Sequence, residues 1–365
     1  MNSRPTILIT GAAGRTGRHT TLDLLERGFP VRALVHRLDS RSSELASRGA
    51  EVIAGSLTDI ELLRRAMSGV QRAYFVAPWI AGSLEAATMF AAAAEENRLE
   101  AVVAMSQWLS SPAHPSMHTR RTWLADTVFS WMPSVGSITV NPGFFADPYM
   151  SALEAGGQFG LFTMPLGNGL NAPPSNQDIA RVIAALLADP AEHIGSSYRP
   201  TGPELLSPQD IAGVFAEVLG RRVRYVDVPF WMLAKSAASA GYRPYEIAQM
   251  RTYFEEYKRD TFAIGAPNNV VKQLTGRDPE GFVQTTRHYA DASRTTQRTP
   301  SAMTRALAGL VRMTAQPAPR HSRYAAIHEP EHVAGRRLAI DTEQWRDTHA
   351  PALALADGVE QHLAA

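Results

Sequence analysis

A chain of 365 residues with a formal net charge of +1 and no cysteine has room for about two domains. Disulfides, thiolate catalysis and cysteine-ligated metals are excluded, and the charge balance gives no reason to expect nucleic-acid binding. No apolar run reaches the roughly eighteen residues of a membrane span, and the N-terminus MNSRPTILIT lacks the pattern of a signal peptide, so a cytoplasmic location is expected.

The first element is a short apolar run, Ile7 to Ile9, of the kind a strand buried on both faces needs. Glycines follow at Gly11, Gly14 and Gly17, and a helical pattern then begins with Leu22, Leu24 and Leu25. A strand, a glycine turn and a helix start in that order suit a diphosphate. Glycine lets the main chain approach the anion closely, and the helix start offers unpaired N–H groups. A second strand, Val31 to Val35, ends at His36 and Arg37, with Arg15 in the glycine turn and no acid before Asp39. An acidic side chain at this place bonds a ribose 2′-hydroxyl, whereas a basic one accepts a 2′-phosphate. Arginine's planar fork suits phosphate, so NADP(H) is favoured over NAD(H).

Helical residues around Ser42 to Arg48 lead to a strand at Glu51 to Gly55, and a helix from Asp59 to Ser68 follows Thr58 as its N-cap. Arg72 to Ala77 reads as the fourth strand, Ser83 to Asn97 as an alanine-rich helix and Ala101 to Ser106 as the fifth strand. Strands alternating with helices at this spacing predict an α/β fold with a doubly wound parallel Rossmann-type sheet, whose ligand lies beyond the carboxyl ends of the strands.

The chain resembles the NmrA-like group of atypical short-chain dehydrogenases, which includes NADPH sensors, quinone oxidoreductases and azo-dye reductases. The residues carrying the resemblance are GAAGRTGR at 11 to 18, VRALVHR at 31 to 37, GAEVIAGSLTD at 49 to 59, VNPGFFADPYM at 140 to 150 and YRPTGPELLSPQDIAGVFAEVLGRRVRYVDVP at 198 to 229. The glycine spacing, GxxGxxG, is the variant of such enzymes. The match extends from residue 5 to about 292. It implies cofactor contacts at Gly11, Ala13, Gly14, Arg15, Thr16, Gly17, His36, Arg37, Ser56, Leu57, Ala77, Pro78, Asn141, Pro142 and Phe144. It departs at His36 and Asn141, where relatives usually carry arginine, and at Ser56, where they carry aspartate. Relatives also carry HxxxK after the fifth strand, whereas here His118 is followed by Thr122.

With no lysine before Lys235 and no tyrosine between Tyr74 and Tyr149, the usual tyrosine–lysine pair of a short-chain dehydrogenase has no place on the helix after the fifth strand. Hydride transfer to a quinone-like or conjugated acceptor needs less acid catalysis, because the product charge is delocalised. His118, with an ordinary pKa near neutrality, is a candidate proton donor. Ser106 is a candidate to bond the acceptor oxygen, and Trp79, Trp108, Phe144 and Phe145 either wall an aromatic acceptor or serve as core. The expected activity is an NADPH-dependent reductase, with a non-catalytic redox sensor as the alternative and a module that has lost its nucleotide as a third.

The domains are expected at 1–150, with 175–202 returning to the sheet, and at 151–174 with 203–292, a smaller, mostly helical substrate domain. There Pro208 to Leu219, Trp231 to Ala240 and Pro244 to Tyr257 read as helices, Val223 to Val228 as a strand, and Tyr253, Phe254 and Tyr257 as core. Residues 293 to 324 read as a linker holding one amphipathic piece, MTRALAGLVRM. Residues 327 to 365 hold two short helices with Trp345, Leu353, Leu355 and Leu363 to bury. This tail is either an arm for a homodimer or protein partner, or an extension with no partner.

Overall fold

A computed structural model describes residues 4–317 and 336–349. The chain opens with β1 (Ile7–Thr10), α1 (Arg15–Glu26), β2 (Val31–Val35), α2 (Ser40–Ser47), β3 (Glu51–Ala54), α3 (Ile60–Met67), β4 (Arg72–Val76), α4 (Ser83–Glu96), β5 (Ala101–Met105), α5 (Met117–Ser130) and β6 (Gly136–Val140). It leaves the sheet through α6 (Asp147–Met150), α7 (Leu153–Phe159) and β7 (Leu161–Met164), then returns through α8 (Asn176–Ala188) to β8 (Ser197–Tyr198). Seven parallel strands lie in the order β3-β2-β1-β4-β5-β6-β8. β1 sits inside the sheet, with Ile7 in register with Val31 on one side and Arg72 on the other.

Ile7, Leu8 and Ile9 are wholly buried because successive side chains enter two different cores. Ile7 and Ile9 join Leu24 of α1 and Ile179, Val182 and Ile183 of α8. Leu8 joins Leu63, Phe75, Phe90 and Phe129 on the side of α3, α4 and α5. The reversal of strand order between β1 and β4 opens the crevice in which α/β sheets bind ligands. The cap of α3 differs from expectation. Asp59 accepts the Leu62 N–H at 3.0 Å, while the Thr58 hydroxyl is paired with Ser56 at 2.7 Å.

A second body of structure continues with α9 (Pro208–Leu219), β9 (Arg224–Asp227), α10 (Phe230–Ser239), α11 (Pro244–Tyr257), α12 (Val270–Thr275) and α13 (Phe282–Ala292). β9 pairs with β7, so the excursion after β6 and the segment after β8 share one small parallel sheet. Their common core holds Tyr149, Phe162, Phe215, Tyr257 and Phe262, and it also takes in Trp108 from the loop after β5. That loop is therefore fixed by the second body rather than by the strand that precedes it.

In the tail, α14 (Pro300–Ala315) is longer than the piece expected there and packs on α7 and α10. α15 (Glu343–Thr348) buries Trp345 against Trp108, with the Trp345 Nε1–H donating to the Trp108 carbonyl at 3.0 Å. The expected burial of Leu353, Leu355 and Leu363 lies outside the described residues.

Candidate functional site

The glycine turn is held by its own backbone. Gly11 adopts φ +58° and its carbonyl accepts the Gly14 N–H at 2.7 Å. A Cβ on Gly14 would lie 2.9 Å from that carbonyl oxygen, and one on Gly17 would overlap the same oxygen and lie 2.9 Å from its carbon. All three positions are therefore closed to side chains, and α1 approaches β1 as closely as a backbone can. Gly14 is the N-cap of α1 and supplies no side-chain cap. The first-turn N–H groups face an anion site by default, because no intrahelical carbonyl reaches them. This cradle fits a dinucleotide diphosphate.

The flanking side chains are disposed less uniformly. Ala13 is partly buried against the α1/α8 core. The Thr16 hydroxyl turns inward to Tyr74 at 3.3 Å, which leaves its N–H as the group facing outward. Arg15 is ion-paired with Asp147 of α6, a carboxylate that also accepts from Tyr289 and, at 3.3 Å, from Asn176. Of the two arginines near the expected 2′-phosphate position, Arg15 is thus already bound across the crevice. His36 and Arg37 stand exposed at the end of β2, and Arg37 has no ion-pair partner among the described residues. Ser56 is exposed and bonded to Thr58, and Leu57 and Ala77 pack on the α3/α4 core. Pro78 is half-buried beside them.

Beyond β5, the structure separates two residues that the sequence reading places together. Ser106 donates to Asp126 of α5 at 2.6 Å, and Ser110 donates to the same carboxyl oxygen at 2.7 Å. Burial pushes the Asp126 carboxyl up to about 6. His118, two helical turns earlier, faces Trp79 at a ring-centroid distance of 5.9 Å, and its Nδ1 is buried without a hydrogen-bond partner. Burial, aided by the Arg121 charge, lowers the imidazole to about 4. The near-neutral imidazolium expected at His118 is therefore corrected to a neutral ring at physiological pH.

Between them lies Gln107. Its amide donates to Thr122 at 2.6 Å, and its carbonyl accepts Thr119 at 3.2 Å and the phenol of Tyr253 from α11. Burial, with Glu256 adding to it, raises the Tyr253 phenol, so it stays protonated. Gln249 of the same helix accepts both the Ser116 hydroxyl at 2.8 Å and the His118 N–H at 3.1 Å. Tyr253 reads from sequence as core and Gln249 carries no sequence signal, because helical spacing cannot reveal a partner on a distant element.

The aromatic wall is also redrawn. Phe144 is 7% exposed and packs among Tyr149, Phe254, Tyr257 and Phe262, so it belongs to the second core rather than to an open pocket. Phe145 packs toward the α1/α8 core and Pro142 is buried. Trp108 is 5% exposed, with its Nε1–H on the Thr261 carbonyl at 2.8 Å. Asn141 holds its backbone on β8, its N–H donating to Tyr198 at 2.9 Å, and its side chain lines a cavity beside Ser106 and Asp126. Trp79 keeps a half-buried position next to His118.

Comparison with known proteins gives this arrangement a context. The NmrA-like family model matches residues 3–105. An NAD(P)H azoreductase from Xenophilus azovorans is 29% identical over 287 residues, covering 78% of this chain and 98% of its own. Among solved structures, an NADPH-dependent quinone oxidoreductase from Escherichia coli complexed with NADPH superposes with a TM-score of 0.68 at 19% identity, covering 77% of this chain and 99% of that one. A triphenylmethane reductase from Citrobacter sp. gives 0.68 at 18% identity, covering 78% and 99%. Over residues 3–105 the chain is similar to the NmrA-like family, and its parallel sheet and glycine turn accord with that likeness.

Proposed function

We propose that the protein is an NADPH-preferring reductase that delivers hydride to a quinone-like, azo or otherwise conjugated small molecule. The observation that carries this reading is the side-chain-free cradle of Gly11, Gly14 and Gly17 beneath the uncapped start of α1. It is supported by relatives named as an NAD(P)H azoreductase and an NADPH-dependent quinone oxidoreductase. A bound reduced nicotinamide supplies the hydride. The residues act around it: backbone N–H groups of Arg15 to Gly17 hold the diphosphate, and Arg37 with His36 faces the adenosine 2′-phosphate. Ala77, Pro78 and Trp79 border the nicotinamide end, and the second body, entering through α11, closes the acceptor side.

The chemistry asked of the side chains is modest. His118 is neutral, so it orients an acceptor through a ring nitrogen rather than protonating it as an imidazolium. The Tyr253–Gln107–Thr122 chain holds the loop after β5 at a fixed height above α5. The proton that completes a two-electron reduction comes from water, as a delocalised oxyanion or amide anion permits.

Absorbance of NADPH followed against a panel of quinones, azo dyes and simple ketones tests the proposal. Oxidation with conjugated acceptors and none with ketones is expected. Tight NADPH binding with no turnover on any acceptor would favour a non-catalytic redox sensor instead.

A further inference from the structure

On the α5 side of the sheet, beyond β5, β6 and β8, lies a cavity of about 420 Å³ that shares Gln107 with the proposed reduction but whose charged residues that reaction does not use. It is within the size range of small-molecule sites. Two of its lining residues, Arg199 and Asp126, are oppositely charged, and neither has an ionic partner among the described residues.

Arg199 is 7% exposed. Its guanidinium donates to the Phe262 carbonyl at 2.6 Å and to the Ile264 carbonyl, and it lies 3.7 Å over the Trp108 ring, while its Nε has no hydrogen-bond partner. Carbonyls and an indole face solvate a cation without neutralising it. Asp126 is satisfied by hydroxyls alone, from Ser106 and Ser110. Taking a charge out of water without a counter-ion is costly, and here two charges of opposite sign, Arg199 buried and Asp126 half-buried, open on one space without meeting.

We propose that this cavity binds a small dipolar molecule, its carboxylate pairing with Arg199, its cationic nitrogen pairing with Asp126, and its flat apolar part resting on the aromatic wall. An aromatic α-amino acid is the simplest molecule of this description. A plain anion would leave Asp126 facing a like charge, and a plain amine would leave Arg199 in the same position. His349, the other titratable group of the lining, adds no charge, because burial lowers its pKa.

The lining also separates this site from the proposed reduction. Trp345 and His349 stack at 4.3 Å and come from the tail, beyond the point near residue 292 where the family resemblance ends. The tail is held there by Trp345 on the Trp108 carbonyl, by Arg259 on Asp341 at 2.7 Å and by the Ala339 N–H on Glu256. A wall completed by tail residues sets this cavity apart from the glycine-turn end of the crevice.

Calorimetric titration of the full chain with L-phenylalanine, benzoate and benzylamine tests the assignment, with NADPH titrated on the same samples. Phenylalanine is expected to bind at least tenfold more tightly than either half-molecule. Asp126→Asn, which keeps an acceptor for both serines, should weaken phenylalanine at least tenfold and leave benzoate equal or tighter. Arg199→Met should weaken phenylalanine and benzoate alike. If that variant does not fold, the opposite responses to Asp126→Asn decide alone. Benzoate as tight as phenylalanine, indifference of phenylalanine to Asp126→Asn, or no binding at millimolar concentration by a chain that still takes up NADPH would overturn the proposal.

Discussion

The two ends of the crevice are built by different means. At β1 the candidate cofactor site is backbone: three glycines within seven residues, a carbonyl that receives the Gly14 N–H at 2.7 Å, and a helix start with nothing capping it. At β5 the site is side chain, and its parts come from far away in sequence. Gln107 is bonded by Tyr253, Ser116 by Gln249, and Trp108 is enclosed by Arg199 and Trp345. A backbone cradle gains rigidity from close packing and tolerates no added atom, whereas a side-chain network gains it from paired donors and can be loosened one bond at a time. The first end thus suits the part of a ligand shared by all dinucleotide enzymes, and the second suits the part that varies.

The sharpest break of this contrast is Gly17→Ala. The new methyl, fixed directly to the α1 backbone, would overlap the Gly11 carbonyl oxygen, a main-chain atom that cannot swing aside. Loss of measurable NADPH binding is expected by calorimetry, with roughly 1–3 kcal/mol of destabilisation in urea from overpacking. Retained affinity would mean that the turn is not where the diphosphate sits. On the other end, Trp345→Ala empties a position that is 2% exposed. Its expected cost is about 3 kcal/mol, seen in urea unfolding together with faster proteolytic release of the tail. An unchanged midpoint would show that the tail adds nothing to the loop after β5.

A smaller effect separates the charges around the adenosine. Because Arg15 is held by Asp147 while Arg37 has no ion-pair partner among the described residues, Arg37→Ala should weaken NADPH and NADP⁺ by about tenfold, one charge-assisted contact. NADH and NAD⁺ should be left unchanged. An equal loss for all four nucleotides would move the 2′-phosphate elsewhere.

What the sequence reveals follows the same division. β2 and α9 begin and end where their patterns predict, and the glycine turn is recognisable because its parts are contiguous and each glycine answers to a local steric demand. Ser106 and His118 are legible as residues near the end of β5, yet their partners are not. Whether a serine meets a histidine or an aspartate is set by which face of α5 it reaches, and the neutral state of His118 is set by burial that only the second body completes. Arg199 carries no signal in the sequence, and Trp345 reads there only as a residue of the tail to bury. Their meaning comes from a cavity wall to which β8, α5 and the tail each contribute residues.

The smallest effect tests whether His118 and Asp126 lie in the separate surroundings described. The imidazole of His118 falls from its usual 6.5 to about 4, so the unfolded chain binds more protons than the folded one in that window. Its contribution to stability is complete above 6.5 and is lost as pH falls through 4. The Asp126 carboxyl rises from 3.8 to about 6, so the folded chain binds more protons there, and its contribution is complete below 3.8 and lost as pH rises through 6. The two slopes oppose each other across nearly the same range and largely cancel in the wild type. Removing one uncovers the other. Relative to wild type, His118→Gln should make stability fall more as pH is raised from 4 to 6, and Asp126→Asn should make it climb. Urea midpoints measured at intervals across that range read both differences, and parallel profiles for the two variants would place the groups in surroundings unlike these.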